Sequence, residues 1–110
     1  MSELTPGKLV RVHLSEHDRV GDRPAFEALV DKCHELGVAG ASVFRGLEGF
    51  GEGSEILRRR LWDRDQPIVL TIVETAGTVE RILPELTQLV PEAMVAISDV
   101  QMLRVQRSRP

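Results

Sequence analysis

The string His13-Leu14-Ser15-Glu16-His17 sets two imidazoles and a carboxylate within five residues, the composition of an inverted zinc-hydrolase motif. That chemistry needs a helix, because i,i+4 spacing brings two imidazoles to one side of a metal only on a helical face. Here His13 falls on an alternating segment and His17 on the loop after it, so the string reads as a polar strand end. Cys33-His34 is a second pair of metal-binding types, but Cys33 belongs to an apolar stripe and reads as a core thiol. Glu16 and Asp18 have the types for general acid–base work. Carboxylates just ahead of a helix also complement its N-terminus, and that reading is preferred. The chain holds no recognisable Ser/His/Asp set and no Gly-x-x-x-x-Gly-Lys-Ser/Thr run, so catalysis is not expected.

Anion binding has better support. Gly46, Gly49, Gly51 and Gly53 fall within eight residues, directly behind Arg45. Glycine lets a ligand or a second chain approach the backbone closely, and each ordered glycine costs extra entropy. Such a stretch either stays mobile or closes around something. An arginine beside exposed backbone N–H groups makes an anion cradle. Arg58-Arg59-Arg60 is the densest basic cluster. It reads equally as a solvated run and as a contact for phosphate or an acidic partner.

The elements that must carry these residues follow from periodicity. Residues 8–14 alternate, with Val10, Val12 and Leu14 on one face and Leu9, Arg11 and His13 on the other, which predicts a strand. Residues 15–23 read as a loop. Pro24 opens a helix at its first position, with Asp22 as candidate cap. Phe26, Leu29, Val30, Cys33 and Leu36 form its stripe and Gly37 ends it. Residues 39–47 predict a second strand leading into the glycines. Residues 54–65 fit a short helix or a hairpin extension equally. Residues 67–74, rich in β-branched types, predict a central strand. Thr78 is the expected cap of a second helix with Val79, Ile82, Leu83, Leu86 and Leu89 as its stripe, bent at Pro84. Residues 94–105 predict a last strand, interrupted near Ser98-Asp99. Residues 1–7 and 106–110 read as loose ends.

The order β-α-β-β-α-β predicts an α+β ferredoxin-like fold, an antiparallel sheet with both helices on one face. All 110 residues fit a single domain. With 42% apolar and 28% charged residues, disorder is not expected. A net charge of −3 and only four aromatic residues (three Phe, one Trp, no Tyr) disfavour a nucleic-acid binder. A lone cysteine rules out an intrachain disulfide and suggests a reducing compartment. With no signal-peptide layout and no long apolar run, a cytoplasmic location is expected.

Several stretches together resemble a family of small PII-like proteins catalogued as domain of unknown function 190. They are the first strand with Glu16-x-Asp18-Arg19, Pro24-x-Phe26-Glu27-Ala28-Leu29-Val30, Gly37-Val38-Ala39-Gly40-Ala41, Arg45-Gly46-x-Glu48-Gly49-Phe50-Gly51, Pro67-x-Val69 and Leu83-Pro84-Glu85-Leu86. His13 and Leu14 depart from the aromatic and smaller residue that relatives often carry, and residues 58–62 follow no family pattern. The resemblance implies the fold of the PII and copper-tolerance superfamily, assembled as a homotrimer. It implies an adenine nucleotide (AMP, ADP or ATP) in clefts between subunits and a loop that docks on a client, such as a membrane transporter. On that basis Arg45, Gly46, Gly49, Phe50 and Gly51 form the ligand loop, Glu48 shapes it, and Arg11, His13 and Arg104 line the cleft wall. The alternative within the same fold is a divalent-metal-binding protein using His13, Glu16, His17 or Cys33.

Overall fold

A computed structural model of the chain describes residues 3–46, 48–50, 56–58, 67–90 and 92–105. Strand β1 (Leu4–Ser15) is followed by a hairpin of two-residue strands, β2 (Arg19–Val20) and β3 (Arg23–Pro24), and by helix α1 (Ala25–Glu35). Then come β4 (Ala41–Arg45), β5 (Glu48–Phe50), β6 (Ile56–Arg58), β7 (Pro67–Glu74), α2 (Ala76–Leu89) and β8 (Met94–Leu103). The main sheet has the order β4-β7-β1-β8 with every neighbouring pair antiparallel. This is the ferredoxin-like arrangement read from the sequence.

Alternation along β1 and β7 creates the core. Val10, Val12 and Leu14 stand opposite Ile72, Leu70 and Ile68, and all six are buried. Their Cβ atoms share one face because side chains alternate across a strand. The helices cover that face with two 3.6-period stripes: Ala25, Ala28, Leu29 and Cys33 from α1, and Val79, Ile82 and Leu86 from α2. Phe26, Val30, Leu36, Leu83 and Leu89 pack around the rim, partly buried.

The helix ends differ in part from expectation. Gly37, at φ 78°, ends α1 in the left-handed conformation. The Gly37 N–H donates to the His34 carbonyl at 3.2 Å and the Val38 N–H to that of Cys33 at 3.1 Å, the paired bonds of a Schellman turn. Asp22 does not cap α1: Pro24 occupies that position without a side-chain bond, because residues 19–24 pair as a hairpin. The first N–H of the helix, from Ala25, instead reaches the Asp18 carbonyl at 2.7 Å. For α2 the cap is Thr75, whose Oγ1 accepts from the Thr78 N–H at 3.3 Å. Thr78 is thus the capped residue, since a cap oxygen serves the N–H two or three positions on. Pro84 lies inside α2 and leaves the apolar stripe continuous from Ile82 to Leu86.

Strand β1 starts earlier than periodicity suggests, while β4 and β8 fall within the ranges expected for them, 39–47 and 94–105. Residues 4–7, read as a loose end, pair with residues 100–103. No break occurs at Ser98-Asp99: Ser98 lies opposite Leu9, and Asp99 lies opposite Lys8 and forms an ion pair with it. Polar residues on an exposed outer strand are compatible with pairing, so polarity did not mark a boundary. Residues 1–2 and 106–110 lie outside the described residues.

Burial of Cys33, which is 1% exposed, pushes its thiol from an ordinary value of 9.0 up to about 11. The unfolded chain loses this proton first as pH rises, so the contribution is complete below about pH 9 and is lost as pH climbs through about 11. Urea denaturation across that window is expected to show stability falling more steeply for the native chain than for Cys33→Ala.

Candidate functional site

The residues expected to bind an anion begin where β4 ends. Arg45 is the last residue of that strand and stands opposite Ile68 of β7, which stands opposite Leu14 of β1. Arg45 therefore shares a cross-strand row with two core residues. Because β7 lies between β4 and β1, the row spans two strand spacings, about 10 Å. An ion pair reaches across that distance: Arg45 donates from Nη2 to Oε1 of Glu16, in the turn that follows β1. The Glu16 side chain is only 16% exposed and that of Arg45 is 49% exposed.

The turn holding Glu16 is tied down from several sides. The Ser15 N–H donates to Oδ2 of Asp18 at 2.9 Å, and the Asp18 N–H returns to the Ser15 carbonyl at 3.1 Å. The His17 N–H reaches Oγ of Ser15 at 3.2 Å. The Asp18 carbonyl takes the first N–H of α1. Glu16 and Asp18 are thus both engaged in holding structure, one in an ion pair and the other in its own turn. Their partners are Arg45 and the Ser15 N–H, whereas the acidic residue in the first turn of α1 is Glu27.

Gly46 comes next. Its N–H donates to the Pro67 carbonyl at 2.8 Å, and a Cβ there would stand 2.7 Å from Cγ of Pro67. Glycine is required here for room and not for a left-handed φ: the chain leaves the sheet directly against the proline that opens β7. Beyond it, Glu48, Gly49 and Phe50 form β5 and pair with Arg58, Leu57 and Ile56 of β6. A hairpin therefore occupies the part of 54–65 that is described, which settles the ambiguity there toward pairing. Gly51, Gly53, Arg59 and Arg60 lie outside the described residues.

The other expected site residues divide. Arg11 and His13 lie on the sheet face away from the helices, both exposed. Their register places them in two adjacent rows, Ser42–Thr71–Arg11–Ala96 and Phe44–Val69–His13–Met94. The second row is largely apolar, with Phe44 57% and Met94 54% exposed. Arg104 follows the end of β8, where Leu103 stands opposite Leu4. It lies at the other end of β1 from His13, so within one chain it does not join Arg11 and His13 on a wall. That end also carries an open groove of about 690 Å³, lined by residues 4–8, Ala76 and residues 99–101. It contains none of the residues singled out from the sequence.

The metal-binding alternative gains no cluster. Among the described residues no group of three or more His, Cys, Asp or Glu side chains could hold a metal ion. His13 sits on a strand and Glu16 is held by Arg45, so the string 13–17 lacks the helical face that its chemistry requires. Among the described residues, no helix is long and apolar enough to cross a membrane.

Residues 7–102 match the model of the DUF190 family, described as uncharacterized ACR. A UPF0166 protein of Aquifex aeolicus (strain VF5) is 28% identical over 98 residues, covering 87% of this chain and 92% of the relative. Among solved structures, a putative PII-like signaling protein of Thermus thermophilus is similar at TM-score 0.60 and 25% identity, over 94% of this chain and 93% of that one. CPII of Thiomonas intermedia K12, a nitrogen regulatory PII-like protein bound to ADP, AMP and bicarbonate, is similar at TM-score 0.63 and 20% identity. That match covers 93% of this chain and 92% of CPII.

Gly46→Ala is expected to lower stability by about 1–3 kcal/mol, the usual range for overpacking. Gly40→Ala, whose Cβ would meet open space, is the control that should stay near the native value. Urea midpoints of the two variants check the difference.

Proposed function

The chain belongs to the DUF190 family of PII-like proteins, and on that premise we propose that it is a non-catalytic regulatory protein that binds an adenine nucleotide. Three copies assemble, and the nucleotide lies in the cleft between neighbouring subunits. The phosphates are held by Arg45 and the backbone of Gly46, Gly49, Phe50 and Gly51, in a hairpin shaped by Glu48. Arg11 and His13 belong to the cleft wall. Arg104, at the far end of β1 in its own chain, reaches that wall only from a neighbouring subunit. The hairpin that orders around the ligand then meets a client, and the client class implied by the resemblance is a membrane transporter.

The observation that carries this reading is the position of Arg45: a half-exposed cation at the root of the glycine hairpin, in a fold similar to that of CPII bound to ADP and AMP. A guanidinium presents several donors in a planar fork suited to phosphate. The sheet supports assembly. One face is covered by both helices, while the other exposes Phe44, Val73 and Met94. Apolar side chains grouped on an open sheet face favour contact with other protein surface.

Two measurements test the proposal. Titration calorimetry with AMP, ADP and ATP is expected to show binding that Arg45→Ala weakens about tenfold or more, the range for a charge-assisted hydrogen bond. No heat with any of the three nucleotides would refute nucleotide binding. Sedimentation is expected to show a three-chain species that Phe44→Glu shifts toward single chains. A native chain sedimenting only as single copies at micromolar concentration would refute the assembly.

A further inference from the structure

We infer that Glu16 is a positioning residue for the ligand loop: its carboxylate holds Arg45 in the place from which the guanidinium meets a nucleotide phosphate. This rests on the nucleotide-binding reading above and adds to it a residue outside the glycine hairpin.

The geometry separates a fixed partner from a movable one. Glu16 is the more buried of the two, and its turn is fastened through Ser15, Asp18 and the first N–H of α1. Arg45 ends an outer strand of the sheet, is half-exposed, and is followed by a glycine. A long side chain in that position loses considerable rotamer freedom when a ligand immobilises it. A partner that immobilises it beforehand removes part of that cost from binding.

Donor accounting leaves room for a ligand. The contact uses Nη2 of Arg45 and Oε1 of Glu16. A guanidinium carries five N–H donors, and among the described residues the others have no partner. The same side chain can thus be held by Glu16 and still offer donors to a phosphate. An opposing effect exists, because a carboxylate near the site repels an anion. Both anions would lie on one guanidinium, inside the roughly 8 Å over which physiological salt does not screen, and the positive charge between them offsets their repulsion. Preorganisation adds to that attraction, and the net sign is what the experiment reads.

The contact also spans the entry of β7. Arg45 ends the row Leu14–Ile68–Arg45, Glu16 lies two residues beyond Leu14 at its other end, and Gly46 is bonded to Pro67 beside it. The root of the hairpin is consequently tied to β1 as well as to its neighbour β7, which gives Glu16 a lever on where the hairpin begins.

The test is a double-mutant cycle on ADP affinity, with each variant checked for folding by thermal denaturation. Glu16→Ala is expected to weaken ADP binding about threefold to tenfold, the effect of freeing one immobilised side chain. Glu16→Gln, which keeps an oxygen acceptor, should lose less. In an Arg45→Ala background, Glu16→Ala should change nothing further. Equal or tighter binding by Glu16→Ala would overturn the inference, tighter binding marking Glu16 as a competitor of the ligand. Equal weakening in both backgrounds would overturn it too, by showing a purely structural role. If Glu16→Ala does not fold, the cycle is run with Glu16→Gln, where zero coupling to Arg45 is the contrary result. Weakening by Arg45→Ala with none from Glu16→Ala sinks this inference alone. A native chain that binds no ADP, or that binds it equally with Arg45→Ala, sinks the reading beneath it.

Discussion

The register of β1 between β7 and β8 is the constraint on which the other features depend. A strand's side chains alternate, so a slip of one residue would move Val10, Val12 and Leu14 to the open face and bring Arg11 and His13 under the helices. Burying an unpaired guanidinium against Leu29 and Ile82 would be far more costly than any gain in pairing. The apolar set therefore pins the register, and the register assigns every other position. It sets Arg45 in line with Leu14 and Ile68, and His13 in line with Phe44 and Met94. Two of the expected ligand-binding features thereby fall on different parts of the sheet, one at the end of a core row and one on the open face.

The root of the hairpin shows how little room separates scaffold from site. Pro67 opens β7, accepts the Gly46 N–H and occupies the space that a Cβ on residue 46 would need. One position earlier, the ion pair between Arg45 and Glu16 reaches across the same strand. A glycine-rich stretch suggests freedom, yet its first glycine is a point of close packing. Beyond that anchor the next described glycine, Gly49, stands opposite Leu57 where β5 and β6 pair.

The two sheet faces place different demands on the chain. The helix-covered face is closed by apolar packing, with α1 and α2 each contributing one stripe. Antiparallel sheets commonly present a polar second face to water. Here that face mixes Arg11, Thr71 and Ser42 with Phe44, Val73 and Met94. Such a mixture suits contact with protein as well as water. This connects the fold of one chain to the assembly proposed for it without requiring any part of the chain to change conformation.

Patterns that are local in the chain were legible before the structure. The alternation of 8–14 and 67–74 and the stripes on 26–36 and 79–89 reflect periods of two and 3.6, which any short window contains. Gly37 was readable as a helix stop because a left-handed position favours glycine in isolation. The order of elements and the family motif then pointed to the PII-like arrangement. The cap of α2 was misplaced by one turn because Thr75 and Thr78 are chemically equivalent, and only the backbone decides which one caps the other. Extension of β1 over residues 4–7 was hidden because its partner, residues 100–103, lies nearly the whole chain away. Glu16 was marked as a carboxylate without its partner for the same reason: 29 residues separate it from Arg45, and no local window holds both. The sequence by itself determined which residues are apolar, which are charged and with what period they recur. Only the tertiary structure decided which charge meets which, because strand order brings β4 to one side of β7 and β1 to the other, and that proximity is a property of the folded sheet.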